Sequence, residues 1–327
     1  MDWKQQRVLV TGAGGFIGSH LTERLVALGA RTRALVRYTS TGTAGWLNAS
    51  PVRGEIEVVA GDITDDQILH RAAQDVDIVF HLAALIGIPY SYHAPASYVR
   101  TNISGTQTVL QAALDCRVSR VVHTSTSEVY GTAVTVPIAE DHPVNAQSPY
   151  AATKTGADML ALSYHRSFAL PVTIVRPFNT YGPRQSTRAV IPTIIEQALT
   201  QPVVRLGHLD PTRDFTYVAD TVEGFIAAAA SDRAVGGVVN LGAGREISIR
   251  DLAALIASMC GSGAVVELDA DRVRPPASEV ERLCADTRRA AELLGWSPRF
   301  TLREGLRETI DWMSAHLDRR RPVTYVI

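Results

Sequence analysis

Short apolar runs rich in β-branched residues recur through the first half of the chain, at 7–11, 32–36, 55–60, 77–84, 118–124 and 171–176. Continuous apolar runs of this length are the signature of strands buried on both faces. Between them the spacing of apolar positions predicts helices over 19–28, near 96–102, over 105–115 and from Tyr150 to about Phe168. The alternation predicts an α/β fold, a doubly wound parallel sheet with helices on both faces. The stretches 85–92 and 131–148 read as loops, the second polar and proline-containing. Beyond about residue 178 the rhythm loosens. Helices are expected at 189–199, 221–230, 249–259, 287–294 and 302–316, and short strands at 203–206, 214–217 and 238–241. The expected division is a sheet domain over 1–177 and a smaller C-terminal α/β lobe over 178–327, with some segments returning to the sheet.

Composition narrows the class. The 327 residues are 46% hydrophobic and 20% charged, with a formal charge of -1. That suits a globular chain with ample core and gives no reason to expect nucleic acid or a membrane surface as partner. Three widely spaced cysteines imply no disulfide framework, and the start of the chain lacks an apolar signal segment, so a reducing cytoplasm is expected. The nine histidines lack ligand spacing, and no metal site is expected.

Candidate chemistry sits where strands end. The first strand runs into Gly12-Ala13-Gly14-Gly15-Phe16-Ile17-Gly18 and then a helix. Glycines at 12, 15 and 18 in that context form a variant dinucleotide fingerprint, for a sharp turn, close approach to a pyrophosphate and tight helix packing. Phe16 and Ile17 supply the helix N-terminus. The second strand ends at Val36-Arg37 rather than at an acidic residue. Arg37 can pair with a 2′-phosphate, stack on adenine or sit in solvent, which tilts the choice between NAD and NADP mildly toward NADP. Asp62 and Ile63 follow the third strand; Asp62 either meets the adenine or caps the next helix. Leu82, Ala83 and Ala84 end the fourth strand with little bulk near a ligand, and His81 reads as a core residue. After the fifth strand come Thr126, Ser127 and Glu128, hydroxyls for a substrate oxygen and a carboxylate for proton removal. Tyr150 and Lys154, one helical turn apart, form a phenol–ammonium pair in which the charge is expected to acidify the phenol. Pro177 stiffens the next turn. Asn179, Arg184, Arg213 and Arg274 are candidate substrate ligands, the arginines for a diphosphate.

Together these motifs resemble the extended short-chain dehydrogenase/reductase family of nucleotide-sugar epimerases and dehydratases, from Arg7 to about His316. The resemblance implies a Rossmann domain with tightly held NAD or NADP, a nucleoside diphosphate-sugar substrate in the C-terminal lobe, and a homodimer formed through helices 105–115 and 150–168. Thr126-Ser127-Glu128 is similar to the Thr-Ser-Glu of the GDP-mannose 4,6-dehydratases. The runs 81–92 and 176–186 resemble the N-acetylglucosamine-nucleotide 4,6-dehydratases of the legionaminate-pathway type. The dTDP-glucose dehydratases differ in carrying Asp-Glu where this chain has Ser127-Glu128, and the run 126–131 is shared with UDP-glucuronate decarboxylases. The expected reaction is 4,6-dehydration, with 4-epimerisation and then decarboxylation as alternatives.

Overall fold

The computed structural model describes residues 1–317; residues 318–327, the end of the expected C-terminal lobe, lie outside them. Six strands build the first part of the central sheet: β1 (Arg7–Thr11), β2 (Arg31–Arg37), β3 (Ile56–Gly61), β4 (Ile78–His81), β5 (Arg120–Thr124) and β6 (Val172–Pro177). Their helices are α1 (Phe16–Ala27), α2 (Asp66–Ala73), α3 (Ile88–His93), α4 (Pro95–Tyr98), α5 (Gly105–Asp115) and α6 (Pro149–Phe168), with a π-helical turn over Val99–Ser104.

The chain then leaves the sheet. It forms β7 (Thr180–Tyr181), α7 (Val190–Thr200), β8 (Val203–Leu206), β9 (Thr212–Asp214) and β10 (Thr216–Tyr217) before α8 (Val218–Ala230) brings it back. β11 (Val238–Leu241) pairs with β6 and completes a seven-stranded sheet of order β11-β6-β5-β4-β1-β2-β3, parallel throughout. The remaining elements are β12 (Glu246–Ser248), α9 (Ile249–Met259), β13 (Val265–Leu268), β14 (Arg282–Leu283), α10 (Arg288–Leu294) and α11 (Leu302–His316).

The apolar strand residues alternate between two cores. Val8, Val10 and Phe80 face α1 and α8; Leu9, Val79 and Val121 face α2, α5 and α6. Burying a side chain of this size contributes roughly 1.5–3 kcal/mol, so this double layer dominates the stability. A third core joins α7, α9 and α11 in the lobe. Strand order reverses between β1 and β4, and in such sheets ligands bind at the crevice beyond the strand ends there.

Three expectations need correction. Residues 88–93 are helical rather than loop, because Pro89 occupies the first turn where its missing N–H costs nothing. The run 214–217 is two short strands, one pairing with β12 and the other with β7, rather than one. β12, β13 and β14, of three, four and two residues, escaped the sequence pattern because they are too short to show a period.

Candidate active site

The glycine turn closes the C-terminal end of β1. Gly12 has φ +71, and a Cβ there would lie 2.8 Å from the Ala83 backbone nitrogen. Only glycine fits a positive φ with a neighbouring strand end so close. A Cβ on Gly18 would run into the carbonyl of Gly12. Gly15 is the N-cap of α1 and offers no side-chain acceptor, so the first N–H groups of Phe16, Ile17 and Gly18 point free, as an anion requires. Thr11 Oγ1 accepts from Leu82 N (3.1 Å) and Ala83 N (3.2 Å), which holds the 82–84 segment over the turn. His81 lies between Thr11 (2.8 Å) and Thr106 (3.0 Å), and burial keeps its pKa well below the ordinary value, so it is a neutral structural group. These residues fit a dinucleotide. Arg37 stands exposed at the end of β2. Asp62 accepts from Thr64 N (2.9 Å) and Thr64 Oγ1 (2.8 Å); the N-cap of α2 is Asp65, not Asp62. Ile63 turns its side chain into the core against Gly105.

Across the crevice, β5 ends at Thr124. Thr126 Oγ1 accepts from Glu128 N (3.2 Å) and so caps the tight turn Ser127–Tyr130. Opposite this turn, Ser148 caps α6 by accepting from Ala151 N (3.1 Å), Pro149 sits in the first turn, and Ala169 ends the helix at φ +57. The cap places Tyr150 and Lys154 on the face that meets β5. Lys154 Nζ donates to the carbonyl of Thr124 at 2.5 Å. Tyr150 packs edge-on to Tyr98, ring centroids 6.4 Å apart, in a cluster with Ile88, Leu85 and Tyr92.

That apolar wall changes the electrostatics expected from sequence. Burial raises the Tyr150 phenol well above its ordinary pKa; the hydrogen bond with Thr126 opposes this, and the nearby Glu128 charge reinforces it. Burial likewise brings Lys154 down to about 8. The expectation that Lys154 acidifies the phenol is therefore not met here: the ammonium is committed to the Thr124 carbonyl, and desolvation wins.

The structure brings Thr126, Ser127, Glu128, Tyr150 and Lys154 together where the end of β5 meets the start of α6. Pro177 ends β6 two strands from β1's neighbour β4, and Asn179 follows with its Nδ2 buried and without a hydrogen-bond partner among the described residues. Arg213 and Arg274, 61 residues apart in sequence, converge on one carboxylate: Arg213 Nη2 lies 2.9 Å and Arg274 Nη1 3.6 Å from Glu279 Oε1. Arg184 does not join them. Its guanidinium is held by Ser19 Oγ (3.1 Å) and Glu23 Oε1 (3.0 Å) on α1, the helix that follows the glycine turn.

Sequence reasoning missed four groups. Asp158, fully buried, accepts from Ser125 and Arg176 behind the Tyr150–Lys154 pair. Its place one turn after Lys154 was the available signal. Asn102 grips Leu85 by both backbone groups (2.8 and 2.9 Å) and reaches Thr153 (3.1 Å) from the π-helical turn. Gln147 Nε2 donates to Glu279 O at 2.9 Å, tying the 131–148 segment to the lobe. Glu279 itself carried no sequence signal.

Known proteins identify the family. The family described as GDP-mannose 4,6 dehydratase matches residues 9–309. A dTDP-glucose 4,6-dehydratase of Streptomyces antibioticus is 36% identical over 314 residues, 93% of this chain and 91% of that protein. A UDP-N-acetyl-alpha-D-glucosaminuronate decarboxylase of Bacillus cytotoxicus is 36% identical over 320 residues, 94% of this chain and 98% of that protein. The crystal structure of a dTDP-glucose 4,6-dehydratase from Streptomyces venezuelae, solved with NAD bound, superposes with a TM-score of 0.88 at 32% identity, covering 97% of this chain and all of that one. The Rossmann sheet, the glycine turn and the Tyr–Lys helix thus belong to a chain that is a member of the GDP-mannose 4,6-dehydratase-like family, the short-chain dehydrogenase/reductase enzymes that dehydrate, epimerise or decarboxylate nucleotide-sugars.

Proposed function

We propose that the protein is a nucleotide-sugar 4,6-dehydratase acting on a nucleoside diphosphate-N-acetylglucosamine. The observation that supports this most is the meeting of a carboxylate, Glu128, with the Thr126–Tyr150–Lys154 group on one rim of the dinucleotide crevice. Epimerisation needs the last three; a base for a C5 proton is the added requirement of dehydration. When bound, the oxidised nicotinamide would take up hydride from C4, return it at C6, and add the positive charge that helps a buried phenol ionise. Tyr150 accepts the C4 hydroxyl proton and Thr126 orients that hydroxyl. Lys154, seated on Thr124, holds the dinucleotide ribose. The C4 carbonyl acidifies C5–H, Glu128 removes that proton, the C6 hydroxyl leaves with a proton as water, and C5 regains a proton from the solvent-exchanged Glu128 carboxyl. Arg213 and Arg274 receive the diphosphate in exchange for Glu279, and Asn179 Nδ2 is a buried donor without a hydrogen-bond partner among the described residues.

Two finer points belong to the same reading. Arg37, exposed at the end of β2, offers a partner to a 2′-phosphate, so NADP is accepted beside NAD. Met159 and Phe168 leave apolar surface open on α6, 48% and 54% exposed, which a homodimer through α5 and α6 would cover.

The test is incubation of the purified protein with a panel of nucleotide-sugars in deuterated water. Loss of one water with deuterium at C5 is expected from the N-acetylglucosamine nucleotide. A product isomeric with the substrate and free of deuterium, or release of carbon dioxide from a uronate, would replace this reading with epimerase or decarboxylase.

A further inference from the structure

One charged group at the site has no task in that scheme. Asp158 lies on α6 four residues after Lys154 and eight after Tyr150, so the three side chains form one row along the helix. Each meets a neighbouring residue of the same short segment. Tyr150 meets the Thr126 hydroxyl, Lys154 donates to the Thr124 carbonyl, and Asp158 Oδ2 accepts from Ser125 Oγ at 2.8 Å. Arg176, from β6, donates to the same Oδ2 through Nη2 (2.9 Å) and Nε (3.2 Å), and His123 Nε2, from β5, stands 3.4 Å from Oδ1. Asp158 and His123 are 0% exposed and Arg176 3%. A carboxylate withdrawn from water this completely survives as a charge only when paired and hydrogen-bonded, and such an arrangement is a costly way merely to fill space.

We propose that Asp158 is a positioning residue for the Tyr150–Lys154 pair: its carboxylate, holding Ser125 and Arg176, locks residues 124–126 against α6 and so keeps Lys154 seated on the Thr124 carbonyl. This rests on reading that pair as the proton-transfer machinery, but its test requires no turnover. The ionisable groups around Lys154 are Tyr150 and Asp158 from α6, His123 from β5, Glu128 from the following turn, His81 from β4 and Arg176 from β6. Burial lowers both histidines, which are neutral, and keeps the phenol protonated. Arg176 is matched by Asp158. Asp158 is thus the group that opposes the burial pulling Lys154 down to about 8.

The chain contains only two lysines, Lys4 and Lys154. Lysine labelled at Cε therefore gives two side-chain resonances, and the exposed Lys4 serves as an internal reference. Titrated by NMR, Asp158→Asn is expected to lower the Lys154 midpoint by about one pH unit, the scale of losing a close opposite charge, with Lys4 unmoved. Because that variant strands the Arg176 guanidinium, the double variant Asp158→Asn/Arg176→Gln, which removes two opposite charges, is expected to fold and to shift the midpoint by less in the same direction. A purely structural Asp158 would depress thermal stability and leave the Lys154 titration in place. If Lys154 titrates in Asp158→Asn where it does in the wild type, the assignment is overturned, whatever substrate the enzyme proves to use.

Discussion

The two sides of the crevice are built by different means. The dinucleotide side is made of backbone: a left-handed glycine, bare helix N–H groups, and a strand end held close by Thr11. The lobe side is made of side-chain charge, with Arg213 and Arg274 already sharing Glu279. A backbone site is specified by a few consecutive residues and is rigid before any ligand arrives. A side-chain site is assembled from distant segments and must exchange one partner for another. The row of Tyr150, Lys154 and Asp158 on α6 stands between these extremes, with side chains fixed by a helix cap and by one strand end.

That contrast can be broken at several points. Tyr150→Phe removes one hydroxyl from the row and should lower turnover by about 10²–10⁴-fold while retaining the cofactor, read from steady-state rates and bound dinucleotide. On the backbone side, Gly12→Ala forces a Cβ into the Ala83 backbone at φ +71, a strain of roughly 1–3 kcal/mol or more. It should abolish dinucleotide retention through gel filtration, and full retention would show that the turn is less rigid than described. On the lobe side, Arg213→Ala removes a charge-assisted contact worth about 1.5–3 kcal/mol, so KM should rise roughly 10- to 100-fold with kcat changed far less. A matching fall in kcat instead would place Arg213 in the chemistry.

Smaller effects sharpen the picture. Lys154 is charged below its pKa, so activity should decline as pH rises through about 8, with no such limb below it from this group. Asp158 gives the opposite sign for stability. Burial alone would raise its carboxyl, but His123 and Arg176 overrule that and hold it below the ordinary 3.8. Its contribution is thus present above about pH 4 and is lost as pH falls through the folded value, and acid-melting curves of Asp158→Asn should lack that component. The smallest effect belongs to Arg184→Ala. A partly exposed pair with Glu23 is worth at most about 1 kcal/mol, and KM should not move.

Legibility in the sequence followed the same division. The sheet strands stood out because burial on both faces leaves continuous apolar runs, and the glycine turn because three glycines at fixed spacing have few other uses. Tyr150 and Lys154 were found through helical spacing, and Asp158 obeys the same spacing but reads as an ordinary surface carboxylate until Arg176 and Ser125 are seen around it. The Glu23 and Ser19 partners of Arg184 carried no signal, because a cation in a turn looks alike whatever it faces on another helix. Glu279 was silent: a single carboxylate in a polar stretch announces neither Arg213 nor Arg274. The acidified phenol failed as an expectation because the ring of apolar groups around Tyr150, from Ile88 to Tyr98, is a property of packing and not of the Tyr–Lys spacing.

The late return of β11 to the sheet bears on how the chain is made. Val238–Leu241 closes against β6 only after the intervening chain has passed through the lobe elements β7 to β10 and returned along α8. A nascent chain emerging from the ribosome as far as residue 177 would carry β6 as a bare edge, with N–H and C=O groups unpaired and apolar surface uncovered where α8 should lie. Cofactor binding should accordingly be acquired late in synthesis, in one concerted step, and a fragment cut after β6 should aggregate rather than persist as an autonomous nucleotide-binding unit.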